Sequence, residues 1–460
     1  MNKMTTLISK FKLPRNPFLL FLPFLLLYIL VVLFLQSDTL WGDEDKYLAY
    51  AQNLLHGFYS GPDPNLSCGP GYPILLMPFV ALHLPLLVIK LVNPVLYYLS
   101  VVFLFKVVNR IASFKIAVIV GVFWACYINA YENLPLILTE TFAIFLVAAL
   151  MLSLIKAFDP NAAVTSKKYI YLSGFLLGYL VLTKVIFGYV MVFMLIGSIA
   201  LWLFGRKNKS YKKAVIVLVI ALGTTIPYLV YTYNLTGRLF YWSTVSGNNL
   251  YWMSTPYKNE FGNWMQDPKI NEDSITAYSD DTATYFGGSL NLKNRLNHYF
   301  QGYDDSVKAN HWNDYKEINQ SKTMIERNDA FKRIAIRNIK SHPMKFIQNW
   351  ICNVSRILFN YPYSYKTQEP GILLRLPMSG IIVVLILFCL IPTCFNWRKI
   401  DFSIRFIFLV VFIYLGGSTL GSAETRMFTI AVPMLLVWMV YILKKTIIIK
   451  LKFTVKEKMN

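Results

Sequence analysis

Residues 17–45 read PFLLFLPFLLLYILVVLFLQSDTLWGDED: nineteen apolar residues from Pro17 to Leu35, then a short polar passage ending in three acids, Asp43, Glu44 and Asp45. A bilayer core about 30 Å thick takes roughly 20 apolar residues per helix, and blocks of sixteen to twenty recur along the 460-residue chain, which is 56% hydrophobic and 16% aromatic. The pattern predicts an all-α polytopic membrane protein and excludes a soluble domain. The first block has no small-residue cleavage site and further apolar segments follow it, so it reads as an uncleaved span rather than a signal peptide. The formal charge of +21 sits in short Lys/Arg clusters between apolar blocks, the positive-inside pattern. No folded basic face for nucleic acid is legible.

These clusters set the topology. Lys3, Lys10, Lys12 and Arg15 precede the first span, which places its start in the cytoplasm and Gly42 onward outside. The next apolar stretch, Tyr72 to Ile89, carries Pro73, Pro78 and Pro85 and makes a poor straight helix. If it lies in the interface or re-enters, the clusters at 106–115, 206–213, 398–399 and 444–452 all fall inside; if it crosses, the first two land outside. Charge favours the first arrangement. Ten spans follow, at 17–35, 86–105, 116–131, 140–155, 169–183, 185–204, 214–233, 376–395, 404–420 and 427–443, with both termini cytoplasmic.

Three regions result: an N-terminal transmembrane module (1–233) with a first outer loop (36–85), an extracytoplasmic loop domain (234–375) and a C-terminal transmembrane module (376–460). A loop as long as the second must hold its own structure. In it, MIERNDAFKRIAIRNIK (324–340) has helical spacing, and Pro343 opens a second, amphipathic helix through Phe346, Trp350 and Ile357. Cys68 and Cys352 both fall in outer polar segments, so their pairing is left open; no CxxC spacing exists.

The acids after the first span read as the start of a helix with Asp43 near the N-cap, where one acid serves the dipole for about 1 kcal/mol or less. Three invite a second role, because further charges fall on the same outer side: Glu132, Glu140, Lys184, Glu424 and Arg426. Each has a plain structural explanation by itself. Glu140 starts a helix, Lys184 snorkels to headgroups, and Glu424 and Arg426 pair locally. Ionisable groups at membrane depth are nonetheless costly and usually face a cavity or a partner.

A carboxylate beside Lys and Arg at a membrane surface suits attack on a sugar whose leaving group is a lipid phosphate. That leaving group needs cations rather than a general acid. A cation about 4 Å from it contributes roughly 4 kcal/mol at an effective dielectric of 20.

The stretches GDEDKYLAYAQNLLHG (42–57) and GPGYPILLMPF (69–79) resemble the first outer loop of the GT-C type membrane glycosyltransferases, specifically the superfamily of protein O-mannosyltransferases and lipid A aminoarabinose transferases. LTETFAIFLVAAL (138–150), GYLVLTKVIFG (178–188), YNLTGRLFYWSTVSGNNLY (233–251) and ETRMFTIAVPML (424–435) continue the likeness in order. The resemblance implies Asp43 as the general base, Glu44 and Glu140 as supporting carboxylates, and Lys184, Arg238 and Arg426 as donor-phosphate ligands. It also implies a polyprenyl-phosphate sugar donor, a lipid, glycan or protein acceptor, inversion at the anomeric carbon, and a multi-pass protein of the cytoplasmic (inner) membrane with an extracytoplasmic site.

The family often has a Lys before its paired prolines where this chain has Gly69, Pro70 and Gly71. No cofactor is called for. Asp43 and Asp45 share the DxD spacing of metal sites, but residues i and i+2 on a helix point apart, so a shared divalent cation requires a non-helical start. A transporter or flippase of a lipid-linked or polar solute is the rival from another class, yet no inverted repeat is visible. A polymerase or ligase of surface polysaccharide would share the donor and differ in acceptor.

Overall fold

The computed structural model describes residues 14–40, 42–61, 63–160, 166–204, 209–265, 304–365, 372–421 and 423–446. Several topology-setting charges, among them Lys3, Lys10, Lys12, Arg206, Lys207, Lys450 and Lys452, lie outside them. The described residues form helices and no strands. In chain order the main helices are α1 Leu22–Leu35, α2 Glu44–Leu55, α3 Gly71–Ala81, α4 Leu86–Ile111, α5 Phe114–Ala125, α6 Thr139–Ala157, α7 Ser166–Thr183, α8 Ile186–Phe204 and α9 Lys209–Thr236. They continue with α10 Ser246–Met253, α11 Asp304–Ile318, α12 Met324–Ser341, α13 Pro343–Phe359, α14 Ile372–Phe395, α15 Phe402–Thr419 and α16 Thr425–Thr446.

Each of the ten spans read from the sequence overlaps a helix, and two of them, 17–35 and 116–131, are broken. By length and composition seven are able to cross a membrane: α4, α6, α8, α9, the Leu376–Phe395 part of α14, α15 and α16. The protein is therefore a polytopic α-helical membrane protein. α1 and α5 are shorter, at 14 and 12 residues, or about 21 and 18 Å at 1.5 Å per residue. The 17–35 run breaks at Phe21 into a four-residue turn of helix and α1, because Pro23 has no N–H and its ring crowds the carbonyl four residues back. α5 stops at Ala125 and its last carbonyls are met by tyrosines: Tyr97 donates to Trp124 O at 2.6 Å, and Tyr28 and Tyr131 each donate to Ala125 O at 2.8 Å. Capping of this kind is what allows a helix to end inside an apolar bundle. α7 opens on Ser166, Lys167 and Lys168, which makes its first turn polar. The doubtful stretch after the first loop forms α3, 11 residues long and roughly half a bilayer in length.

The lipid-facing and buried faces of the long helices separate as expected for a bundle in hydrocarbon. Phe193, Ile196 and Leu203 on α8 and Val384, Leu387 and Ile391 on α14 point outward, while α6 and α16 are the most enclosed spans, 72% and 78% buried along their apolar stretches. α6 packs against α4, α7 and α16. Glu140 and Arg426 thus stand in the first turns of the two most enclosed helices.

The segment between α9 and α14 has a hydrophobic core of its own. Tyr251 and Trp252 of α10, Tyr315 and Ile318 of α11, and Phe331 and Ile334 of α12 form it. Cys68 and Cys352 are both free thiols, so they do not pair.

Candidate active site

Gly42 takes the left-handed conformation (φ 59°) that turns the chain into α2, a turn that suits glycine. Asp43 then stands at the N-cap, yet its carboxylate makes no capping hydrogen bond. It is directed at cations instead. Arg426 Nη1 lies 3.8 Å from Asp43 Oδ2, and Lys46 Nζ, one helical turn on, lies 3.5 Å from Oδ1. Glu44 and Asp45 occupy the first turn, where the helix dipole favours acids.

Arg426 enters from the start of α16 and joins three carboxylates. Besides Asp43, its Nε is 3.7 Å from Glu140 Oε1 and 2.5 Å from Glu424 Oε2. Glu140, 1% exposed in the first turn of α6, accepts from Lys184 Nζ at 2.7 Å, and its other oxygen accepts from Thr139 Oγ1 at 3.3 Å. Tyr47 of α2 reaches Thr139 Oγ1 at 3.5 Å. Asp43, Glu140, Lys184 and Arg426 therefore form one ion-paired cluster, with Glu424 and Lys46 at its edges. Asp43 and Arg426 keep 33% and 31% of their side chains exposed, so a ligand can reach both.

Withdrawal from water acts to raise the Asp43 carboxyl. Lys46, Arg426 and Lys184 outweigh it and hold the group below its ordinary value. Asp43 is accordingly an anion near neutral pH.

Lys184 sits in the turn between α7 and α8, and the chain's Gly69-Pro70-Gly71 explains its placement. A Cβ on Gly69 would stand 2.1 Å from Leu182 O, and one on Gly71 would stand 2.6 Å from Thr183 Oγ1 and 2.7 Å from Thr183 N. Both glycines are needed for α3 to press directly on the Thr183–Lys184 turn. The close backbone contact at Gly69 and Gly71 leaves no room for a larger side chain there.

The remaining residues singled out in the sequence lie elsewhere. Glu44 is fully buried behind Asp43, where it accepts from Ile137 N at 2.6 Å and sits 3.9 Å from Lys90 Nζ. It braces α2 against the approach to α6. Arg238 is engaged with Asp329 of α12 in a forked pair at 2.9 and 2.5 Å and makes no ion pair with the cluster among the described residues. Glu132 is exposed. Asp45 is buried and faces Lys46 N at 2.8 Å. Among the described residues no group of three or more His, Cys, Asp or Glu side chains is arranged to hold a metal.

Two features escaped the sequence reading. Lys46 was overlooked, although its i+3 spacing from Asp43 on a helix start puts the two side chains together. The second is a buried polar network in the segment between α9 and α14. Glu260 accepts from His311 Nε2 at 2.9 Å, from Asn310 at 2.8 Å and from Tyr365 at 2.9 Å, while Tyr251 contacts His311 Nδ1 and donates to Asp314 at 3.0 Å. Its members lie up to 114 residues apart (251 to 365), beyond any spacing rule.

Fold and site together define a polytopic helical membrane protein with an ion-paired, partly open cluster at one end of its two central spans. No protein-family model and no curated protein matches the chain. Among solved structures it is similar to ArnT from Cupriavidus metallidurans bound to undecaprenyl phosphate, at 13% identity over 91% of this chain and 77% of that one, with a TM-score of 0.37.

Proposed function

We propose that the protein is a GT-C type membrane glycosyltransferase that moves a sugar from a polyprenyl-phosphate donor to a lipid, glycan or protein acceptor at the outer face of the cytoplasmic membrane. The observation that carries this reading is the Asp43 carboxylate, accessible and uncapped, facing Arg426 at 3.8 Å with Glu140 and Lys184 behind. Asp43 takes the proton of the acceptor hydroxyl as its oxygen attacks the anomeric carbon. The bond from that carbon to the phosphate oxygen breaks, the configuration inverts, and the departing phosphate keeps the electron pair. Arg426 and Lys184 stabilise its charge, each exchanging part of its present carboxylate pairing for the phosphate. Glu140 holds both cations at the distance this exchange needs, and Glu44 fixes the helix that presents Asp43. Arg238 belongs to this reading only as a more distant ligand of the donor, through its position at the end of α9.

The sequence motifs quoted above support the same assignment, in order and on the helices that build the cluster. The test is Asp43→Asn in purified protein, assayed for release of free polyprenyl phosphate with acceptor present. Turnover is expected to fall by a factor of 10² or more, as for loss of a general base, with donor binding retained. Wild-type turnover removes Asp43 from the reaction. Passage of a fluorescent polyprenyl-phosphate sugar across a vesicle without sugar transfer would establish a transporter instead.

A further inference from the structure

We infer that α13 is a positioning strut that sets Arg426 against Asp43, and that its Asn353 and Asn360 are positioning residues of the site. This rests on the reading of the cluster given above. α13 runs from Pro343 to Phe359 and packs against α16. Its inner face carries Asn349, Asn353 and Arg356, all with no exposed surface, at the i, i+4, i+7 spacing that places side chains on one stripe. Buried amide and guanidinium groups are costly unless bonded, so where they point is informative.

Asn353 points at the turn between α15 and α16, donating to Gly421 O at 2.6 Å and Thr419 O at 3.3 Å. Trp350 adds a bond to Thr419 Oγ1 at 3.1 Å. At the end of α13, Asn360 takes the left-handed conformation and its Oδ1 accepts from Thr425 at 2.9 Å and from Tyr363 at 2.6 Å. The stretch that carries Glu424 and Arg426 is thus held at two points, five residues before Arg426 and at the residue just before it.

The strut is itself anchored away from the site. Asn349 donates to Met253 O at 3.1 Å and Thr255 O at 2.9 Å, and Arg356 donates to Phe261 O and Pro362 O, each at 2.7 Å, and to Asn353 Oδ1. None of these groups is paired with Asp43, which is faced by Lys46 from its own helix, Arg426 from the start of α16, Lys184 from the α7–α8 turn, and Tyr47 and Cys68, with Glu140 and Glu424 joined to it through Arg426. They act on the reacting carboxylate through where Arg426 stands.

Two variants test this, with Arg426→Gln as the reference. Asn353→Leu removes the donor to Gly421 O and Thr419 O together with an acceptor of Arg356, and Thr425→Val removes only the hydroxyl bonded to Asn360 while keeping the side chain's shape. Amide hydrogen exchange over residues 423–430 of the full-length protein in nanodiscs is expected to accelerate at least tenfold in both. The acid limb of the polyprenyl-phosphate release rate is expected to move up by about half to one pH unit, in the direction that Arg426→Gln moves it. Unchanged exchange in this stretch overturns the inference whatever the fate of the Asp43 assignment. Accelerated exchange with the acid limb in its wild-type place also overturns it, because α13 then stabilises the turn without setting the charge beside Asp43. If Asp43→Asn proves as active as wild type, it is the reading of the cluster that has failed.

Discussion

At the scale of single residues, what distinguishes Asp43 from an ordinary helix-starting acid is the bond it does not make. An N-cap aspartate normally accepts from the amides of the first turn, and this one turns outward to Lys46 and Arg426. Its carboxyl is held low by cations, so in the proposed reaction the ionised form that abstracts the proton should persist as pH falls, and activity is expected to be lost only below the usual carboxylate range. Removing a cation raises the group. Lys46→Gln is therefore expected to move the acid limb of the release rate to higher pH, and Arg426→Gln to move it the same way with a further loss of rate at every pH, since in the proposed reaction Arg426 also meets the phosphate. A pH profile of each variant checks both statements. The sequence made Asp43, Glu140, Lys184 and Arg426 visible because each is an ionisable residue bordering an apolar run on the side the charge pattern reads as outer. Arg238 bordered such a run as well, but its partner Asp329 is 91 residues away, and neither periodicity nor charge pattern reports pairings of that range.

At the scale of elements, the informative unit is the contact between the start of α3 and the turn after α7. Proline content alone showed that Tyr72–Ile89 makes a poor spanning helix, and α3 is accordingly only 11 residues long. What proline content does not reveal is the pair of glycines that lets α3 touch the backbone of Leu182 and Thr183. Gly69→Ala and Gly71→Ala are expected to destabilise by about 1–3 kcal/mol, the usual range for overpacking, and to displace Lys184. The measurable outcome is a raised KM for the polyprenyl-phosphate donor in protein that still folds. Thermal unfolding in detergent reads the first effect and donor titration the second. The lengths of α1 and α5 were misjudged from the sequence for a related reason: hydropathy marks where a chain is apolar, while Pro23 and the tyrosine caps around Ala125 decide where a helix stops.

At the scale of the molecule, the spans and the segment between α9 and α14 are joined by polar groups buried out of water. The Glu260–His311 pair is the centre of that segment's network. Burial acts to raise the Glu260 carboxyl, and His311, Thr255 and Asn310 together keep it below its ordinary value. A carboxyl whose folded value is depressed contributes stability above its unfolded value of about 4.5 and loses it as pH falls through the folded one. Thermal stability is thus expected to drop below about pH 4.5 in the wild type, and Glu260→Gln, less stable at neutral pH, to lose that part of the dependence. Breaking one side of a buried pair typically costs 3–5 kcal/mol, enough to register in an unfolding scan.

The reactive cluster holds three carboxylates, Asp43, Glu140 and Glu424, and three cations, Lys46, Lys184 and Arg426, so with nothing bound it is already neutralised from within. Under the proposed function an arriving phosphate would be an intruder on a settled arrangement: each cation it recruited would leave its acid less well compensated than before. Association should draw protons from solution, and calorimetric heats of donor binding should differ between buffers in proportion to their ionisation enthalpies.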